Sequence, residues 1–180
     1  MVESSRSGLQ HGEDAMEGFH LAQINVARAL APLDDPLLAG FVARLDDINA
    51  LADRSPGFVW RLQSEVGNAT DIQVSDDPKV IVNMSVWEDL ESLFAYVYRS
   101  DHLQVMAQRR RWFEKPAGAF MALWWLPRGR LPDFEEGLER IALLDRRGPT
   151  PEAFTFKQPF DATGRPIDRA ALLRTAEPCA

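Results

Sequence analysis

The stretch KVIVNMSVWEDLESLFAYVYRSDHLQVM, Lys79 to Met106, decides how the chain is to be read. Its first part alternates at the period of a strand: Val80, Val82, Met84 and Val86 share one face, and Ile81, Asn83, Ser85 and Trp87 share the other. Its second part changes to the period of a helix, with Leu90, Leu93, Phe94 and Val97 as the inner stripe. Ser100-Asp101 interrupts that helix, and Asp101 with Gln104 has the spacing of a capping box that starts another. One strand face is uniformly apolar and the other is mixed. The amide, hydroxyl and indole groups on the mixed face either meet water on the bare side of a sheet or line a pocket that holds a ligand.

Upstream, FHLAQINVAR from Phe19 to Arg28 is a strand of the same kind, with Leu21, Gln23 and Asn25 opposite Ala22, Ile24 and Val26. Asp35-Pro36 supplies an N-cap and a first-turn proline to a helix carrying Leu37, Leu38, Phe41, Val42, Leu45 and Ile48, which Ser55-Pro56-Gly57 stops. FVWRLQ, Phe58 to Gln63, is a second strand, with Phe58, Trp60 and Leu62 on one face and Val59 and Arg61 on the other. EVGNATDIQVSDDP follows as a long polar hairpin connection. Downstream, Leu103, Val105, Met106, Trp112 and Phe113 continue the helical segment as far as Pro116-Ala117-Gly118, and AFMALWWLP is a fourth strand. Asp133 and Glu136 cap a last helix that Gly148-Pro149 closes. The order predicts an α+β, ferredoxin-like βαββαβ sandwich with an antiparallel sheet, an extra C-terminal helix and a tail. The chain divides into a disordered leader (1–18), the domain (19–150) and an extended tail (151–180). Phe154, Phe156 and Phe160 alternate in that tail and suit the cover of a hydrophobic patch or sheet edge.

The 180 residues, 46% hydrophobic, fit one domain with a real core. A net charge of -7 and a pI near 5.0 oppose nucleic acid and anionic lipid, which leaves small molecules or proteins as partners. The first residues, MVESSRSGLQHGEDAMEG, lack the apolar core of a signal peptide, and no run approaches the roughly 18 apolar residues of a membrane span. Cys179, the single cysteine, allows neither an intramolecular disulfide nor a cysteine metal site and suits a cytoplasmic location. With three histidines in all, and His11 and His20 near the start, no metal ligand set is expected, and no phosphate loop, dinucleotide fingerprint or nucleophile elbow is present.

Burial against the helices calls for the uniformly apolar set, Ile24, Val26, Trp60, Leu62, Val82, Met84 and Val86. The mixed set then points to the uncovered side: Gln23, Asn25, Arg61, Asn83, Ser85 and Trp87, with one of Trp124 and Trp125. Indoles on both faces of one strand leave large apolar area that needs a partner, and a homodimer closing around a ligand cavity supplies it.

The VW strand exit before an acidic helix start, with SDH before a second helical segment, resembles the dimeric α/β-barrel superfamily of small antibiotic-biosynthesis monooxygenases. The strings NVARALAPLDDP, NALADRSPGFVWRL, NMSVWEDLESL, RRRWF and LWWLP are similar to a bacterial family within it known only as a domain of unknown function, over Phe19 to Phe156. The resemblance implies a dimeric barrel, with activities ranging from cofactor-free oxygenation of aromatic substrates in secondary metabolism to isomerisation, dehydration and haem degradation. Asn25 stands where several such oxygenases bind substrate. Their haem-degrading relatives carry a tryptophan at the position of Tyr96 and an axial histidine near Ala107; His102 lies more than a turn earlier, so haem is disfavoured and no cofactor is expected.

Each candidate has a bland alternative. The Asn25 carboxamide either holds a substrate oxygen or pairs across strands with Asn83. His102, behind the Ser100-Asp101 cap, is a general base kept neutral by the helix start, or it braces the helix break. Arg61 clamps an anion, or pairs with Glu65 or Glu88. Gln23, Asn83 and Ser85 would orient oxygens, and Trp87, Tyr96, Met106 and one of Trp124 and Trp125 would wall the pocket. Arg109-Arg110-Arg111 decorates a solvated helix end, and the expected ligand is a small hydrophobic or aromatic molecule.

Overall fold

The computed structural model describes residues 18–63 and 77–174. The expected leader, most of the hairpin connection after Gln63 and the end of the tail lie outside the described residues.

Four strands form one antiparallel sheet: β1 (Phe19–Arg28), β2 (Phe58–Arg61), β3 (Val80–Trp87) and β4 (Met121–Pro127), in the spatial order β2-β3-β1-β4. That order, with helical crossovers between β1 and β2 and between β3 and β4, is the ferredoxin-like sandwich. The register sets Asn25 opposite both Asn83 and Met121, and Leu21 opposite both Trp87 and Trp125. Trp124 lies opposite Ala22, which places it on the apolar face, so Trp125 is the indole of the mixed face.

The first crossover holds α1 (Ala39–Val42) and α2 (Leu45–Asp53) in place of one continuous helix. Asp35 does cap its entrance, accepting the Leu37 N–H at 2.8 Å, but a tight turn in which Arg44 N–H reaches Phe41 O separates the two pieces. The second crossover holds α3 (Leu90–Arg99) and α4 (His102–Gln108), divided at Ser100 as the sequence indicates. Asp89 caps α3 through the Ser92 N–H at 2.7 Å. At α4 the Ser100 hydroxyl, not the Asp101 carboxylate, accepts the first helical N–H, from His102 at 3.2 Å; the Gln104 side chain of the expected box lies outside the described residues. The C-terminal α5 (Phe134–Arg147) and a short α6 (Arg169–Arg174), which the sequence pattern did not announce, complete the fold.

The distribution of helices over the sheet reverses the expectation. Helices α2 and α3 lie on the mixed face, where Ala52, Leu90, Leu93 and Phe94 pack with Leu21, Trp87 and Leu123. The uniformly apolar face, with Ile24, Val82, Met84, Val86 and Trp124, is covered by Phe134, Ile141 and Leu144 of α5. Close approach explains why α5 takes that face. A Cβ at Gly137 would stand 2.5 Å from Ile24 Cδ1 and 3.3 Å from Met84 Sδ, so the helix backbone rests on the sheet and only apolar side chains can meet it. A bulge between Phe58 and Trp60 changes β2 as well: Phe58 joins the mixed face and packs edge-on against Trp87 at 5.4 Å, while Trp60 keeps to the apolar face.

Both strand-four indoles are covered from within the chain. Trp124 donates to Glu136 of α5 at 3.1 Å, and Trp125 donates to the Phe160 carbonyl of the tail at 2.8 Å. The tail also exchanges both backbone hydrogen bonds between Phe154 and Leu123, each at 2.9 Å, which closes the β4 edge.

Candidate functional site

The mixed face has two halves. At the end nearest the α3 start it is solid core: Trp87, Leu21, Leu123 and Phe154 are fully buried. At the other end the sheet and helices diverge around a cavity of about 220 Å³. Gln23, Asn25, Asn83 and Met121 form its floor, Leu45, Ile48 and Asn49 come from α2, and Leu93, Val97 and Tyr98 come from α3. His102, Val105 and Met106 of α4 face them, and Phe113, Phe120 and Phe156 complete the wall. The polar groups of the opening stretch thus answer the question they posed: those toward the β3 start line a pocket, on the helical side of the sheet.

Of the residues expected to meet a ligand, Gln23, Asn25, Asn83, His102 and Met106 come together here. Gln23 is buried and donates through Nε2 to Asn83 Oδ1 at 2.7 Å, so the cross-strand amide pair is Gln23–Asn83 and does not involve Asn25. Asn25 is half-buried, and its carboxamide has no hydrogen-bond partner among the described residues. Asn83 is exposed and marks the open end of the cavity.

His102 lies across from the amides. Burial lowers its pKa from the ordinary value, and an interaction with the Val97 backbone works against that shift with smaller effect. Its Nδ1 is buried without a hydrogen-bond partner among the described residues. The direction is the one the sequence suggests, but the leading cause is desolvation by the apolar wall and not the short helix start. The ring also packs against Tyr96 at 4.8 Å, the bracing contact that the helix break suggests.

The remaining candidates stand outside the lining. Trp87 donates to Ser85 Oγ at 2.9 Å, and the two satisfy each other inside the core. Tyr96 stacks on Trp87 at 5.0 Å and donates to the Ile48 carbonyl at 3.3 Å, behind His102. Burial drives its hydroxyl pKa far above the ordinary tyrosine value, as befits a structural phenol. Arg61 makes two hydrogen bonds to Asp53, at 2.8 and 3.3 Å, which is the pairing role with a partner from α2; Glu65 lies outside the described residues. Trp124 and Trp125 are committed to Glu136 and Phe160.

Tyr98, Asn49, Arg109 and Phe156 are among the lining residues that went unremarked as site candidates. Tyr98 stands four residues after Phe94, a legible helical neighbour, and packs on Phe94 and Phe156 with ring distances of 4.6 and 5.4 Å. Asn49 follows Ile48 on α2, and Arg109 opens the arginine run. Phe156 comes from the tail, and no local pattern places it beside α3. Among the described residues no group of three or more His, Cys, Asp or Glu is placed to hold a metal ion, and no helix is long and apolar enough to cross a membrane.

The chain is similar to several solved structures at low identity. SnoaB, a cofactor-independent oxygenase from Streptomyces nogalater, is 19% identical, with 64% of this chain and 100% of that one covered and a TM-score of 0.42. The NE2512 protein of unknown function from Nitrosomonas europaea is 15% identical, with 64% and 96% covered and a TM-score of 0.43. PA3566 from Pseudomonas aeruginosa is 14% identical, with 64% and 97% covered and a TM-score of 0.42. No curated protein matches the sequence significantly. The match that spans sheet, pocket and tail together runs over residues 20–170, and by it the chain belongs to the family described as a domain of unknown function, DUF3291.

Proposed function

We propose that the protein is an enzyme that acts on a small apolar, aromatic molecule by proton transfer, leading to monooxygenase-like oxygenation, cyclisation or isomerisation. One juxtaposition supports this reading: a histidine held toward its neutral form and an unengaged carboxamide line the same apolar cavity. His102 accepts a proton from an acidic carbon or hydroxyl of the substrate, and the Asn25 N–H donates to the oxygen on which negative charge gathers. In the oxygenation variant the deprotonated substrate itself reduces dioxygen. A positioned base contributes about 100- to 10,000-fold in rate, and one donor at a developing oxyanion about 100- to 1,000-fold.

The test is a panel of phenols, anthrones and cyclic 1,3-diketones, followed for substrate loss and dioxygen uptake, with affinity measured separately. His102→Gln is expected to lower kcat at least about 100-fold while binding persists. Unchanged turnover in that variant would remove His102 from the chemistry. Binding of panel members with no turnover by the wild-type protein would favour a non-catalytic carrier or sensor of the same ligands.

A further inference from the structure

The charge lining the cavity is one-sided. Among the described residues no aspartate, glutamate or lysine contributes to its wall, although the chain as a whole carries -7, and Arg109 is the one permanent charge they bring there. Its neighbours Arg110 and Arg111 are exposed, as a solvated helix end predicts, but Arg109 is half-buried. The fold fixes it in place. The Arg109 carbonyl accepts from the Trp112 and Phe113 N–H groups at 3.1 and 2.9 Å, and this turn is tied to the end of β1 by Leu30 N–H to Trp112 O at 2.8 Å. The guanidinium carbon lies 4.6 Å from the centre of the Phe120 ring, and among the described residues it forms no ion pair. One aromatic contact engages little of a group with five planar donors. A partly desolvated guanidinium beside an apolar cavity, with amides, Tyr98 and His102 as the other polar lining and no acid among the described residues to neutralise it, is a receptor for an anion.

We infer that the molecule this cavity takes is an organic anion, a carboxylate or acidic phenolate on an apolar ring, with the acidic group against Arg109 and the ring against the Phe113, Phe120 and Phe156 wall. This rests on the cavity being the ligand site and names the ligand class. It also assigns Arg109 as the specificity-determining residue. An anionic group anchored there leaves the opposite end of the ring for His102 and Asn25, so recognition and proton transfer are carried by different residues.

The probes are 2-naphthoate and its neutral isostere 2-naphthamide, with dissociation constants measured by calorimetry at low and high salt against the full chain. The acid is expected to bind about tenfold more tightly than the amide at low salt, the difference between a charge-assisted and a neutral hydrogen bond. Arg109→Gln should abolish that preference, and Arg109→Lys should keep part of it. The lysine variant guards against a folding defect in the glutamine one. Equal affinity for the two probes, or a preference that survives Arg109→Gln, would overturn the anion assignment alone. Failure of both probes to bind the wild-type protein would overturn the cavity as a ligand site, and the proposed enzyme with it.

Discussion

At the scale of single residues, the polar groups of the mixed face divide by whether they already have partners. Ser85 and Trp87 satisfy each other within a sealed core, and Gln23 is committed to Asn83, so these hold the floor in shape. The Asn25 carboxamide and the Nδ1 of His102 lack partners among the described residues, and hydrogen-bonding capacity of this kind is what a ligand can use. The contrast gives opposite expectations for two substitutions. Trp87→Ala should destabilise the fold by about 3–5 kcal/mol in chemical denaturation, because it removes a fully buried indole from beneath Tyr96 and Phe58. Asn25→Leu should leave the unfolding midpoint within about 0.5 kcal/mol of wild type, yet lower turnover about 100-fold or more. For His102, a pKa lowered by burial means that the basic form persists below the ordinary value near 6.5, so the acid limb of the rate profile should fall below about pH 6.5 and vanish in His102→Gln.

At the scale of elements, glycine sets two distances that no side chain permits. Gly57 turns α2 into β2 with a φ of 76° and gives its carbonyl to the Glu88 N–H at 2.7 Å, and a Cβ there would fall 2.2 Å from Ser92 Oγ at the start of α3. Gly137 lets α5 lie against Ile24 and Met84. Gly137→Val should therefore lift the helix from the sheet and cost roughly 1–3 kcal/mol by overpacking, despite valine's better helix propensity. Thermal unfolding with far-ultraviolet circular dichroism reads this directly. The cap at α3 is worth less: Asp89→Ala should cost about 1 kcal/mol, since one N–H, that of Ser92, loses its acceptor.

At the scale of the whole molecule, the tail belongs to the fold and to the pocket together. Phe154 closes the β4 edge, Phe160 receives the Trp125 indole N–H, and Phe156 forms part of the cavity wall. A chain ending at Pro149 should bind a hydrophobic dye, sediment with aggregates and lose 2-naphthamide binding, whereas Phe156→Leu should stay monodisperse and only weaken binding. Global stability should also follow pH in a defined way. Burial lowers the pKa of both His20 and His102, with Arg128 adding to the effect at His20, so between the folded values and about 6.5 the unfolded chain holds more protons. The stability from these two groups is complete above about pH 6.5 and is lost as the pH falls through their folded values. A double substitution of His20 and His102 by phenylalanine should flatten the denaturation midpoint between pH 7 and 5.

Legible in the chain alone were the residues that share a face of β1 and of β3, the limits of β3, the break at Ser100, the caps at Asp35 and Asp133, and with these the ferredoxin-like order. Those are local matters, governed by periodicity over a few residues and by hydrogen bonds between near neighbours. Which helix covers which face depends on packing between distant segments, because alternation distinguishes two sides of a sheet without saying what lies over either. The apolar face appeared to be the one beneath the crossover helices, yet close packing reserved it for α5, and the amides went under α2, α3 and α4, where a cavity spares them from dry contact. The same limit hid Arg109 and Phe156: a neighbour's backbone hydrogen bond to a distant segment, Trp112 with Leu30 and Phe154 with Leu123, brings each to the pocket, and such a bond leaves no periodic trace in the chain.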